Sequence, residues 1–420
     1  MKHRRIALIL AAASVAAAGC GRRHGRTGQG MYGDLVADAI PKVEKAVGVP
    51  FKTPPKLTVL TRGQVRDFLV RKFDEQSPAA ELAGQEAAYK AFGFIPDSLD
   101  LRKFLVDLLT EQIVGYYDPG TKTLYVVQGA PEDMAGVTVT HELVHALQDQ
   151  YMNLDSIQRA TGDNDRQMAA QAVIEGQATY EQMSIMTGGA NVATLMPGGW
   201  DKVREMIRES QGSQPVFASA PQVIQEELLF PYLSGAEFIR RFEVHEPGKQ
   251  PWTDMPVSTT QILHEPAYFD SVRDVPARVT LPATPGKTVY ENDLGEFDTR
   301  LFLYRHTHDQ DLATNASEGW DGGRYRILDV PGGRATVWVT VWRTTVDAAQ
   351  FVDALGQVAE LRYRTPNPDV KYTGQRTYRG SKRTVIVTPF TANGRSAVLY
   401  EDIPTGSSSA LLDVARVTAK

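Results

Sequence analysis

The stretch that most constrains this 420-residue chain is His141-Glu142-Leu143-Val144-His145. On an α-helix, positions four apart lie about 40° apart around the axis and roughly 6 Å along it. Both imidazoles therefore leave one helix face and can hold one metal ion, and Glu142 stands beside them within reach of a water in an open coordination position. The competing account, a helix with two incidental histidines, is costly because buried His and Glu need partners. A helix is thus expected over about residues 137–150.

A tetrahedral zinc site needs a third protein ligand. A glycine three and a histidine six residues after the second histidine would supply it locally, but those positions hold Gln148 and Tyr151. Asp149 is on the same helix, yet eight residues from His141 is roughly 12 Å along the axis, too far for shared coordination. A second helix, predicted over about 166–186, offers Glu175 as the best candidate and Glu181 as the second choice. Ala172, Gly176 and Ala178 around Glu175 would let this helix approach the first closely. A solvated helix charge is the plain alternative for Glu175.

The rest of the chain frames that pair of helices. At 42% hydrophobic and 23% charged residues, the composition is that of a globular protein. A net charge of −5 without a concentrated basic face excludes a nucleic-acid binder. Residues 56–61 read as a strand leading into a helix to about residue 73, and residues 100–112 read as another helix, with Leu101, Phe104, Leu105, Leu108 and Leu109 at helical spacing. Two β-prone runs, 113–117 and 123–128, flank Asp118-Pro119-Gly120-Thr121 and predict a hairpin. Residues 188–225 are rich in Gly, Pro and Ser, and a further helix is expected to start with Pro231 in its first turn and run to about Val244. The proline-rich segment 246–290 reads as a linker or wrapped loop. From about Glu291, strand-like runs (RYRILDV, ATVWVTVW, RTVIVTPF, SAVLYED) surround one helix near 346–361. The expectation is α+β: a catalytic domain over 34–290 with a small mixed sheet and helices, then a C-terminal α+β domain over 291–420 with an antiparallel sheet.

The N-terminus reads as a targeting segment. Lys2, Arg4 and Arg5 precede an apolar run from Ile6 to Ala18 that ends in Ala17-Ala18-Gly19-Cys20. The run is too short to span a bilayer, which takes about 20 residues, and suits a signal-peptide core. The small residues before Cys20 resemble the lipobox of bacterial lipoproteins, which implies cleavage after residue 20's predecessor, a lipid on Cys20 and an exported, membrane-anchored protein. An ordinary secretory signal leaving a free thiol is the alternative. Residues 21–33, Gly-rich and basic with Arg22, Arg23 and Arg26, are expected to form a flexible tether.

The chain resembles a zincin of the gluzincin kind, with two histidines and a glutamate on one helix and a glutamate ligand from the next. In particular it is similar to bacterial metallopeptidases carrying Gly-Tyr-Tyr-Asp-Pro, His-Glu-Leu-x-His-Ala-Leu-Gln-Asp-Gln and Glu-Gly-x-Ala, which stand here at Gly115–Pro119, His141–Gln150 and Glu175–Ala178. The similarity runs from Lys56 to about Phe269 and includes Ser258–Leu263. It implies a zincin-like catalytic domain, zinc on His141, His145 and Glu175, Glu142 as general base, and hydrolysis of a peptide or protein substrate. It also implies an edge strand above the metal helix, 112–117 or 123–128, to which an extended peptide adds. Gluzincins commonly use a downstream Tyr or His to hold the charge that grows on the carbonyl oxygen, and Tyr232 and His264 are the two candidates, with Tyr232 preferred.

Other residues carry less. His306 and His308 alternate as on one face of an exposed strand, and Trp338 and Trp342, four apart in an alternating run, are expected on the core side of a sheet. The competing functional reading is a zincin-fold binding or scaffolding lipoprotein without peptidase activity. A hydrolase of some non-peptide substrate would share the same site.

Overall fold

The computed structural model describes residues 30–420 except 77–78, 155–156, 158–161, 190–213, 366 and 408–410. Cys20 and the targeting segment lie outside the described residues, as does most of 188–225. The chain is α+β. Its first half contains α1 (Met31–Val47), β1 (Lys56–Leu60), α2 (Arg62–Gln76), α3 (Ala79–Phe92) and α4 (Leu101–Gln112). The hairpin β2 (Gly115–Asp118) and β3 (Thr123–Val127) follows, then α5 (Glu132–Tyr151), α6 (Asn164–Met186) and α7 (Gln222–His245). Local chemistry explains several of these boundaries. The Asp100 carboxylate accepts the Lys103 N–H at 2.9 Å and so caps α4, and Asp163 does the same for α6 through the Arg166 N–H at 3.0 Å.

The three-stranded sheet has the order β1-β3-β2, with β1 and β3 parallel and β2 antiparallel to β3. Of the two runs expected to offer a free edge, only the first can: β3 is paired on both sides, whereas β2 lies at the edge opposite β1. Tyr116 stacks on its cross-strand partner Tyr125 at 4.9 Å and on Phe68 at 4.6 Å, which ties the hairpin to α2.

The second half holds α8 (Thr259–Leu263), α9 (Glu265–Phe269), β4 (Val279–Thr280), β5 (Lys287–Asn292), α10 (Glu296–Thr307), β6 (Trp320–Val330), β7 (Gly333–Trp342) and α11 (Thr345–Tyr363). β8 (Asp369–Val370), β9 (Arg376–Arg379), β10 (Arg383–Ala392), β11 (Arg395–Pro404) and β12 (Thr418–Ala419) complete it. β5 to β11 form an antiparallel seven-stranded sheet of order β5-β6-β7-β11-β10-β9-β8. Its period-2 alternation sends Tyr325, Trp338, Trp342, Val385 and Tyr400 to one face and Leu328, Val337, Val339, Ile386 and Leu399 to the other. Trp338 and Trp342 both pack on Phe351 of α11, at 5.4 and 4.6 Å, and so belong to the core as expected. A capping box of Thr344 and Asp347 starts α11.

Several expectations need correction. α1 begins at Met31, so residues 31–33 leave the expected tether; Tyr32 donates its hydroxyl to the Val127 carbonyl at 3.3 Å, which anchors that first turn. α7 starts nine residues before Pro231, which sits mid-helix. A proline there costs about 3 kcal/mol, and burial of Ile224, Phe230, Leu233, Phe238 and Ile239 on the same helix outweighs it. Segment 246–290 is no plain linker, because α8, α9, β4 and the start of β5 fall within it. A division at 290/291 would cut β5, and one apolar core crosses it: Phe92 of α3 packs edge-on against Trp338 at 5.5 Å and Phe302 at 5.7 Å. His306 lies on α10 and His308 is its left-handed C-cap, so neither is on a strand. The His306 imidazole reaches the Phe92 carbonyl at 2.8 Å.

Candidate metal centre

The spacing of His141 and His145 does on α5 what helix geometry requires. Their Nε2 atoms lie 3.2 Å apart, and Glu175 Oε2 of α6 is 3.2 Å from each. These are the residues that, among those described, bring three potential ligand atoms together, and all are buried. Three donors at the corners of a triangle of this edge are those of a tetrahedron whose centre lies about 2.0 Å from each, the bond length of a zinc-sized ion to imidazole or carboxylate. The donor set therefore fits a metal with a fourth position left over.

Second contacts fix the rings. Gln148 donates its amide N–H groups to the Ile174 carbonyl at 3.1 Å and to Gln177 Oε1 at 2.9 Å, which leaves its Oε1 to accept from His145 Nδ1 at 2.9 Å. His141 Nδ1 meets Gln182 Oε1 at 3.1 Å in the same way. With the Nδ1 proton held on each ring, both Nε2 lone pairs aim at the common point. Neither glutamine was singled out from sequence, although Gln148 follows His145 by three positions and Gln182 follows Glu175 by seven, spacings that share a helix face.

Burial disfavours an imidazolium at His145, but the Glu175 carboxylate beside it wins and pushes it up to about 9. Burial likewise opposes charge on Glu175, and His145 with His141 overrides this and holds it down at about 2. Glu175 is thus held as the carboxylate a ligand must be, while the proton kept on His145 in the metal-free cluster would have to leave before its Nε2 could bind an ion.

Glu142 is fully buried. Its Oε2 accepts the Tyr117 backbone N–H at 2.8 Å, and its Oε1 has no hydrogen-bond partner. A buried orphan oxygen of this kind is expected to be filled by a water or another polar group. Burial raises its pKa, against the lowering pull of the two histidines. Val127 donates to the Val114 carbonyl, so 114 and 116 face β3 while 115 and 117 face outward. The free edge of β2 is therefore the edge that meets Glu142. Tyr117 is held at its other end too, its hydroxyl donating to Asp149 at 2.9 Å, where Lys122 also lands at 2.6 Å. Asp149 is thereby a structural anion, not a ligand.

Tyr232 arrives from α7, its ring stacked on His141 at 5.9 Å. Burial first, then the charges of Glu175 and Glu142, hold its phenol well above the usual range. What brings it there is a backbone contact: a Cβ on Gly176 would lie 2.2 Å from the Gly235 carbonyl carbon, and one on Gly235 would lie 2.1 Å from the Ala172 carbonyl oxygen. The small residues Ala172 and Gly176 were expected to face α5; they face α7 instead, while Ala178 packs with Leu143 and Leu147 of α5.

His264 is not brought to this site. It caps α9, and its Nε2 meets Glu296 of α10 at 2.6 Å. Glu181, the second choice for a ligand, is on another face of α6 and faces Glu243, burial and that neighbour raising it to about 8.

Residues 282–404 match a family described as Domain of unknown function (DUF8575). The match spans the large sheet from β5 to β11 and does not include the His-His-Glu cluster. No curated protein and no solved structure gives a match.

Proposed function

We propose that the chain is a zinc-dependent peptidase acting through His141, His145, Glu175 and Glu142. The observation that carries this reading is the 3.2 Å triangle of donor atoms with the partnerless Glu142 oxygen beside it. A purely structural zinc site has no use for a buried carboxylate there. When bound, zinc supplies Lewis-acid polarisation of a carbonyl and lowers the pKa of water. Glu142 takes the water's proton on Oε1 and returns it to the leaving amine. The Tyr232 phenol, kept neutral by its surroundings, donates to the carbonyl oxygen as charge grows on it. The outward-facing backbone of Gly115 and the Tyr117 carbonyl on β2 receive the peptide as an added strand, the Tyr117 N–H being held by Glu142.

Export and a lipid on Cys20 belong to the same proposal and rest on the N-terminal sequence. Among the described residues, no helix is long and apolar enough to cross a membrane. The test is metal analysis of the purified full chain, with cleavage of a peptide library by the natural sequence and by Glu142→Gln. Stoichiometric zinc and cleavage lost only in the variant support the reading. Zinc with both proteins inert moves the assignment to a binding or scaffolding role, and no metal removes it.

A further inference from the structure

A groove leads away from Glu175 and Tyr232 between the N-terminal halves of α6 and α7, with a cavity volume of about 90 Å³. α6 lines it with a polar stripe at helical spacing, Asn164, Gln167, Gln171 and Glu175. α7 lines it with Ile224, Leu228 and Pro231, and with Glu227 at the far end. Five residues of helix separate Glu227 from Tyr232, about 7.5 Å along the axis. Among the described residues, the Glu227 carboxylate bonds to a neutral group, accepting from the Tyr89 hydroxyl at 2.6 Å, which in turn accepts from Gln85 at 3.1 Å. Among the described residues, no Lys, Arg or His lines the groove. Gln167 is 8% exposed, and its Nε2 has no hydrogen-bond partner. Pro231 has no N–H to offer the Glu227 carbonyl one turn below it, which frees a second acceptor on the same residue.

We infer that this groove is a side-chain subsite for a long cationic residue, lysine or arginine, flanking the bond that is cut, an inference that rests on the peptidase reading. The apolar stretch of Ile224 and Leu228 suits a methylene stem, which gains by burial while its charged head reaches Glu227. Lysine carries its ammonium on a flexible four-carbon stem, which can follow the apolar wall while its head turns to Glu227. Burial lifts the Glu227 carboxyl to about 7, against the lowering effect of the Tyr89 hydrogen bond. A cation in the groove supplies the missing partner and converts a buried carboxylate into a charge-assisted pair.

The test uses the zinc-loaded full chain with Glu142→Gln, so that peptides bind uncut, and compares peptides identical except for lysine or norleucine at successive positions. Calorimetric affinity should favour lysine at one position by roughly tenfold or more, and adding Glu227→Gln should abolish that ratio. Gln171→Lys, which sets a like charge in the groove, should lower it as well. Because each ratio is taken within one protein, a folding defect lowers both affinities and is told apart from lost selectivity. Equal affinities at every position, no binding of either peptide, or a preference that survives both substitutions overturns the inference. The hydrolase reading fails separately, if protein with Glu142 intact cuts no peptide.

Discussion

At the scale of single residues, the proposed site would separate holding a metal from using it. Glu175→Gln removes the charge that the two imidazoles need, and zinc retention after dialysis should fall sharply, read by metal analysis. Glu142→Gln should keep zinc and lose about 10²–10⁴-fold in peptide cleavage. Tyr232→Phe should lower kcat by about 10²-fold with little change in KM, since the phenol is needed most when charge appears on the carbonyl oxygen. A residue outside the site carries the pH prediction. Burial, with Arg362 beside it, depresses His306 to about 3 from an ordinary 6.5. The unfolded chain binds a proton there at pH values where the folded chain does not. The contribution of His306 is therefore complete above pH 6.5 and is lost as the pH falls from 6.5 towards 3. Urea midpoints measured across that window should drop with acid, and His306→Gln should flatten this part of the slope.

At the scale of elements, the crossing of α6 and α7 decides whether Tyr232 meets His141. Gly235→Ala gains up to about 1 kcal/mol of helix propensity but sets a methyl against the Ala172 carbonyl, where overpacking costs about 1–3 kcal/mol. The net effect should be a lower denaturation midpoint together with weaker zinc binding; an unchanged affinity would mean that the crossing does not position the centre. The two metal helices were legible because the His141 and His145 spacing and the Glu175 stripe are local patterns. α4 and the hairpin were legible for the same reason, from the apolar spacing of Leu101 to Leu109 and from Asp118-Pro119-Gly120. What escaped depends on contacts distant in sequence. α3 has small residues such as Gly84 where the Tyr290 ring lies against it, so its apolar period is faint. The true start of α7 was hidden because Pro231 is a strong local signal that tertiary burial overrides. α10 begins after Gly295 with acids that are themselves buried, Glu296 and Asp298, and so does not look amphipathic. Glu175 was preferred to Glu181 for the small residues around it, but those face α7, and only the facing helix α5 tells the two acids apart.

At the scale of the whole molecule, one apolar core joins α3 and α4 to the large sheet, from Val65 to Tyr400. Calorimetry should therefore give one unfolding transition, and two well-separated peaks would contradict a shared core. Zinc at a hundredfold excess over its dissociation constant should add roughly 2.7 kcal/mol, so chelation should lower Tm in the natural sequence and leave a Glu175→Gln protein unmoved. The strand order has a consequence for how the chain is made. β11, the last of the seven strands in chain order, lies between β7 and β10 at the middle of the sheet. Until it emerges, β7 keeps one unpaired edge, and Tyr400 is not yet there to sit against Trp338. A polypeptide halted before residue 395 would thus expose an apolar β-edge to its neighbours in the cell. Emergence of β11, more than any earlier step, is what closes this sheet.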